Sequence, residues 1–110
     1  MSTDFSANSL GGVGAVAMLI GPNGKIVFNK ERSTYIEDTY DYYKPNPASE
    51  YPIVVNPLVR ECYTRGIEEC YKSLKEKEKN KNILSKTDYF CFHAPFAAMI
   101  ELGFAALMKM

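Results

Sequence analysis

The sequence predicts an α/β fold in which central β-strands pack with two long helices, as one incomplete domain over residues 1–110. Three observations support this prediction. An apolar run over 10–28 is broken by an Asn-Gly step, which is typical of paired strands. A periodic apolar stripe over 57–79 predicts a helix. A second helix is predicted from residue 95 to the C-terminus. Almost every side chain there is apolar, so this helix is expected to be buried on all sides.

The predicted strands lie at 11–20, 25–28 and 87–92. The first is apolar on both faces, as in the middle of a sheet that is covered on both sides. It leads into Gly21-Pro22-Asn23-Gly24, where the Asn-Gly step favours a tight turn with positive φ and so a β-hairpin. Gly12-x-Gly14-x-x-Ala17 imitates a dinucleotide-binding fingerprint, but these glycines lead into a strand instead of opening a helix, so we reject that site.

The segment 29–56 is predicted to be irregular, because Pro45, Pro47 and Pro52 exclude a long helix. It is rich in tyrosine. These rings could stack on a base or an adenine ring, or they could cover the loop as amphipathic side chains, which is the interpretation we favour.

The predicted helix at 57–79 begins at Pro57, whose missing N–H costs nothing in a first turn. Charged side chains occupy its outer face, and 75–82 is interpreted as a solvated helix end and loop. The apolar stripe on the other face consists of Val59, Cys62, Tyr63, Gly66, Ile67, Cys70, Tyr71 and Leu74.

Composition excludes several classes of function. Thirteen basic residues balance thirteen acidic ones, so the basic excess of a nucleic-acid-binding protein is absent and no nucleic-acid partner is expected. No apolar run reaches the length of a membrane span, so no membrane partner is expected. One histidine and no Cys-x-x-Cys pattern leave no metal-ligand spacing. Three cysteines predict reduced thiols, and the first residues carry no basic presequence, so we expect a cytoplasmic protein.

His93 is the candidate functional residue. It follows the predicted strand at 87–92 and precedes Pro95, which places it at a strand's carboxyl end, where α/β folds often carry their chemistry. A lone histidine beside apolar residues is also commonly a hydrogen-bonded core or edge residue. Cys91 and His93 would share one face of a strand, but their parallel side chains are poorly arranged for a thiolate–imidazole pair.

The order of motifs resembles the 3-hydroxy-3-methylglutaryl-coenzyme A (HMG-CoA) synthase family, from about residue 10 to 108 and around the start of the family's C-terminal half. The matching stretches are the run at 11–23, Tyr40-Asp41-Tyr42-Tyr43-Lys44-Pro45, Ser49-Glu50-Tyr51-Pro52-Ile53-Val54, the Cys-Tyr pairs at 62–63 and 70–71, and Phe92-His93-Ala94-Pro95-Phe96. The resemblance implies a thiolase-like fold, with the active site between two related halves, and a homodimer of the full-length enzyme.

The resemblance also implies a reaction. Enzymes of this family transfer an acetyl group from acetyl-CoA to a cysteine, and a glutamate removes a proton from its methyl group. The carbon attacks the ketone of acetoacetyl-CoA, and hydrolysis releases HMG-CoA for the mevalonate pathway of isoprenoid synthesis. His93 matches the histidine that binds and polarises acetoacetyl-CoA, so it is expected to be both catalytic and substrate-binding. The acyl-CoA molecules are substrates, and no further cofactor is implied.

The departures from the family bear on activity. The nucleophilic cysteine and the glutamate base lie in upstream family segments, and Cys62, Cys70 and Cys91 do not match the nucleophile's context. The isolated 110-residue chain is therefore expected to be inactive. The alternative interpretation is a catalytically silent, divergent fragment that acts only as a binding or dimerisation module.

Coenzyme contacts also differ. Family lysines that meet the CoA phosphates follow the histidine by five and nine residues, where this chain has Ala98 and Leu102. Val59 replaces a serine that contacts the ligand in many family members. Charge-assisted contacts to phosphate are worth roughly 1.5–3 kcal/mol each, so weak CoA binding is expected.

Overall fold

Two α-helices dominate the structure, a computed structural model that describes residues 13–49, 51–78 and 82–110. Helix α1 spans Asn56–Lys77 and helix α2 spans Ala97–Met108. Strands β1, Tyr42–Tyr43, and β2, Ile53–Val54, form a small sheet. A single 3₁₀ turn covers Leu84–Lys86. The described chain is thus α/β in content and consistent with a partial domain.

Both predicted helices are confirmed. Pro57 lies in the first turn of α1, as expected for a residue with no N–H to donate. The helix ends where the backbone of Glu78 becomes extended while its N–H still donates to Leu74 O at 2.9 Å. Residue 79, the last of the predicted helix, lies outside the described residues.

The core lies where α2 crosses α1. Its buried members are Tyr71 from α1 and Met99, Gly103, Ala106 and Leu107 from α2. Met99 is the most deeply buried of them, with 2% of its surface exposed. The radius of gyration is 17.2 Å, whereas a compact domain of this length has about 13 Å, so the chain is more extended than its length requires.

The segment 29–56 is irregular, as predicted, apart from the β1–β2 ladder, which the sequence did not predict. The strands are antiparallel, with Tyr42 opposite Val54 and Tyr43 opposite Ile53. The N–H of Val55 then donates to Asp41 O at 2.9 Å, which joins the ladder to the start of α1. The tyrosine rings lie partly against one another, since Tyr40 meets Tyr43 edge to face at 5.3 Å.

Polar contacts hold the beginning of this segment along α1. Ser33 Oγ donates to the carbonyl of Cys70 at 2.6 Å, and Lys77 Nζ donates to the carbonyl of Arg32 at 2.9 Å. Arg65 Nη1 lies 2.6 Å from Glu37 Oε1, and Arg65 also pairs with a glutamate one turn earlier in α1. The loop is therefore attached along the length of α1.

The predicted hairpin is wrong in its strands, and its turn is only partly as predicted. Residues 22–23 form a turn and Asn23 has φ 59°, but Gly24 does not have the positive φ that a tight Asn-Gly hairpin turn requires. The described residues on either side, 13–20 and 25–28, adopt no strand and are exposed throughout. A strand needs a hydrogen-bonded partner, and no backbone hydrogen bond joins these residues to another described segment. Residues 11 and 12 of the prediction lie outside the described residues.

The predicted strand at 87–92 is also wrong. This segment has no regular secondary structure and joins no described sheet. Two of its aromatic residues pack on α2: the rings of Phe90 and Phe104 meet edge to face at 6.0 Å, and Phe92 lies beside Gly103, whereas Tyr89 is exposed. Aromatic side chains that the sequence pattern assigned to a strand are thus used for packing between a loop and a helix.

Neither described helix combines the length and the hydrophobicity that crossing a bilayer requires.

Candidate functional site

His93 lies four residues before α2, in the stretch that joins the irregular segment 87–92 to the helix. The chain bends at Pro95 and Phe96, and Phe96 precedes the helix with φ −153° and ψ 156°. His93 is exposed, and no hydrogen bond joins its imidazole to another described residue. Its ring is therefore accessible to a ligand from solvent.

The backbone of His93 is fixed by α1. Tyr63, near the middle of α1, donates its phenolic hydrogen to the carbonyl oxygen of His93 at 3.0 Å. Tyr63 is half-buried, and burial raises the pKa of its phenol. The phenol therefore remains protonated, and able to donate, at any neutral pH.

Gly103 makes room for this contact. A Cβ at this buried position would lie 2.8 Å from Tyr63 Oη, 3.0 Å from Ile67 Cδ1 and 3.1 Å from Phe92 Cδ1. Any side chain there would displace the phenol, the neighbouring isoleucine or the aromatic ring that precedes His93. Gly103 thus lets α2, α1 and the His93 segment meet at one point.

A groove lies beside this meeting point, between α1, the segment 83–92 and the end of α2. Its volume is about 390 Å³. Its wall is mainly apolar, and its lining residues are Ser33, Ile67, Cys70, Tyr71, Leu74, Ile83, Leu84, Thr87, Phe90, Cys91, Phe92 and Leu107. The hydroxyls of Ser33 and Thr87 both donate to backbone carbonyls, at 2.6 and 2.9 Å, so they are already engaged. His93 does not line the groove.

The structure does not support the strand arrangement in which Cys91 and His93 were considered as a pair. Cys91 and His93 are both exposed, but the segment that carries them is not a strand, so the shared strand face on which their pairing was considered does not exist. Cys62, Cys70 and Cys91 are free thiols, two half-buried and the last exposed. Within the described ranges no three His, Cys, Asp or Glu side chains cluster as metal ligands.

The two positions compared with coenzyme-binding lysines lie one turn apart on α2. Ala98 is exposed and Leu102 is half-buried. Residues four apart share a helix face, so both positions face the same region. No basic side chain stands in the first or last turn of α2.

Sequence reasoning predicted His93 as a site residue but did not predict the contacts that Tyr63 and Gly103 make beside it. Tyr63 was assigned to the apolar stripe, and thirty residues separate it from the carbonyl that it binds. Gly103 carried a usable signal, because a lone glycine inside a helix of good helix formers commonly marks a close approach.

Comparison with known proteins places the chain in an enzyme family of synthases. The family model described as "Hydroxymethylglutaryl-coenzyme A synthase C terminal" matches residues 26–109. The chain belongs to this family, which confirms the resemblance seen in its motifs.

Individual relatives agree. The chain is 42% identical over 113 residues to the mitochondrial hydroxymethylglutaryl-CoA synthase of Homo sapiens and 39% identical over 109 residues to hydroxymethylglutaryl-CoA synthase B of Dictyostelium discoideum. It is 36% identical over 115 residues to the synthase of Saccharomyces cerevisiae. Each match covers 94% of this chain but only 22–23% of the relative, so the chain spans less than a quarter of these proteins' length.

Proposed function

We propose that this chain is the segment of an HMG-CoA synthase that supplies the substrate-polarising histidine. In this proposal His93 binds acetoacetyl-CoA and donates a hydrogen bond to its ketone while acetyl-derived carbon attacks. An imidazole donor aimed at an oxygen that gains negative charge stabilises the transition state. The enzyme is then an acyl-CoA condensing transferase of the mevalonate pathway.

One observation carries the proposal. The chain's lone histidine lies exposed at the turn into α2, and its backbone is held there by Tyr63 from α1. The one described hydrogen bond of His93 is made by its backbone carbonyl, so its imidazole is free to bind a ligand. A histidine kept for structure would instead have its ring nitrogens engaged with neighbouring groups.

The remaining parts of the reaction are assigned outside these 110 residues. The cysteine that accepts the acetyl group and the glutamate base belong to the upstream family segments, and the thiolase-like fold and homodimer belong to the full-length enzyme. Acetyl-CoA and acetoacetyl-CoA are its substrates. Free Cys62, Cys70 and Cys91 suit a reducing compartment, which supports a cytoplasmic location, although the human relative is by name mitochondrial.

A second candidate is a catalytically silent module that binds or dimerises. The observation that favours it is the apolar surface of α2, where Ile100, Phe104 and Met108 are each 44–46% exposed. Residues four apart form one stripe, so these three present a continuous apolar face.

Titration of the 110-residue polypeptide with acetoacetyl-CoA tests the first candidate. Selective isotopic labelling of histidine makes His93 the single source of imidazole signals in the NMR spectrum, because the chain has one histidine. We expect acetoacetyl-CoA to shift these signals more than free CoA does, since only the former carries the ketone. Adding acetyl-CoA should yield no HMG-CoA, because the acyl-accepting cysteine is absent.

The matched control is the His93→Ala variant, observed through acetoacetyl-CoA that is isotopically labelled at its ketone carbon. The NMR signal of this carbon should shift when the ligand binds the unaltered chain and should not shift with the variant. Equal responses of His93 to acetoacetyl-CoA and to free CoA would contradict the role of the imidazole. Condensation by the purified chain that disappears in His93→Ala would contradict the assignment of nucleophile and base to other segments.

A further inference from the structure

We propose that Tyr63 is a positioning residue for His93 and acts through the peptide that joins His93 to Ala94. The inference rests on the proposed function of His93, and it adds a residue on α1 to a site otherwise confined to one short segment. Its basis is the hydrogen bond of 3.0 Å from the Tyr63 phenol to the carbonyl of His93.

This hydrogen bond restricts the imidazole because of covalent geometry. The carbonyl carbon and Cβ of His93 are attached to the same Cα, so holding the carbonyl narrows the directions in which the side chain can leave the backbone. Pro95 fixes its own φ and restricts Ala94 to extended conformations. Tyr63 therefore holds the His93 end of the short segment 93–95, and Pro95 already restricts the other end.

The surroundings of the phenol favour a lasting contact. Tyr63 is half-buried on α1 and its hydroxyl lies against α2, although the hydrogen bond itself is exposed to solvent. Gly103 leaves the space that the phenol oxygen occupies, since a Cβ there would lie 2.8 Å from it. A tyrosine that served only to fill the interface would not need its hydroxyl at this point.

The variant Tyr63→Phe tests the inference because it removes the hydroxyl and keeps the ring. In dilute 110-residue chain without ligand, we expect the carbonyl and imidazole signals of His93 to move toward those of the denatured chain. The methyl signal of buried Met99, which reports on packing between the helices, should stay in place. Affinity for acetoacetyl-CoA should fall roughly 2- to 10-fold, as for the loss of one net hydrogen bond.

Tyr71→Phe is the matched control, because it removes a phenolic hydroxyl from a buried tyrosine two turns further along α1. It should leave the His93 signals unchanged. Unchanged His93 signals in Tyr63→Phe would overturn the inference, and so would an equal displacement of the Met99 and His93 signals, which would show a purely structural role.

The two proposals fail in distinguishable ways. If acetoacetyl-CoA does not affect His93 in the unaltered chain, the proposed function fails. The ligand-free signals of Tyr63→Phe still decide whether Tyr63 positions the histidine.

Discussion

Gly103 sets how closely the two helices and the His93 segment approach one another. Glycine within a helix costs about 0.5–1 kcal/mol relative to alanine, so an interior glycine needs a compensating contact. Here the compensation is visible, because three side-chain atoms lie 2.8–3.1 Å from the position of a Cβ. Gly66 on α1 offers the opposite case, since a Cβ there would meet nothing within 4 Å.

Replacing Gly103 with alanine is expected to destabilise the fold by about 1–3 kcal/mol through overpacking. The higher helix propensity of alanine offsets part of this loss. The measurement is urea unfolding followed by helical circular dichroism. Gly66→Ala is the matched control and should stabilise the fold by about 0.5–1 kcal/mol, because it gains propensity without a clash. If both substitutions changed stability alike, the close approach at Gly103 would not exist in solution.

At the scale of elements, the helices followed from the sequence because their signals are local. The apolar stripe and Pro57 determine α1 within a residue or two at each end, and the alanine-rich run determines α2. Strands depend on partners distant in sequence, which is why the strands predicted at 11–20 and 87–92 do not form within the described chain. The ladder of Tyr42–Tyr43 with Ile53–Val54 is too short to show an alternating pattern.

The same reasoning applies to the site. His93 could be predicted as a candidate from its own sequence context, because the chain's lone imidazole precedes a proline and an apolar helix, and family motifs surround it. Tyr63 could not be found in this way. Its partner is a backbone carbonyl, which leaves no trace in residue identity, and the contact depends on how two helices cross.

We also expect the side of helix α2 that carries positions 98 and 102 to affect coenzyme affinity. Introducing lysines at Ala98 and Leu102 should strengthen CoA binding roughly 5- to 30-fold. This takes about 0.5–1 kcal/mol for each contact, which is less than for well-formed charge-assisted hydrogen bonds to phosphate because solvent screens exposed charges. Ala98 is exposed, and a lysine at half-buried Leu102 can lay its stem along the apolar surface. The measurement is CoA titration at low and high salt, where the gain should shrink as salt screens the phosphates.

The control places the same two charges on another face of α2, at exposed Ala97 and Met108. That variant should bind CoA less tightly than the double variant at 98 and 102. Equal affinity of the unaltered chain and the variant at 98 and 102 across the salt titration would refute a coenzyme-facing role for this side of α2.

For the whole molecule, the balance of buried and exposed apolar surface is the dominant feature. Among the described residues only Tyr71, Met99, Ala106 and Leu107 form a buried apolar core, whereas Val13 and Leu19 are fully exposed. Small domains bury a low fraction of their surface even when compact, and this chain is extended. The sequence predicts that α2 is buried on all sides, but the described residues bury only part of its apolar surface.

We therefore expect the isolated chain to associate in a concentration-dependent way and to bind hydrophobic dyes. Replacing Ile100 and Met108 with glutamine should weaken association at least about tenfold, because burying each of these side chains contributes about 1.5–3 kcal/mol. Sedimentation velocity over a range of concentrations measures the association. Replacing exposed Ala98 and Ala105 with glutamine, on another face of α2, is the control and should leave it unchanged. A monomer with a sharp, concentration-independent melt and no dye binding would show instead that these 110 residues form a self-sufficient domain.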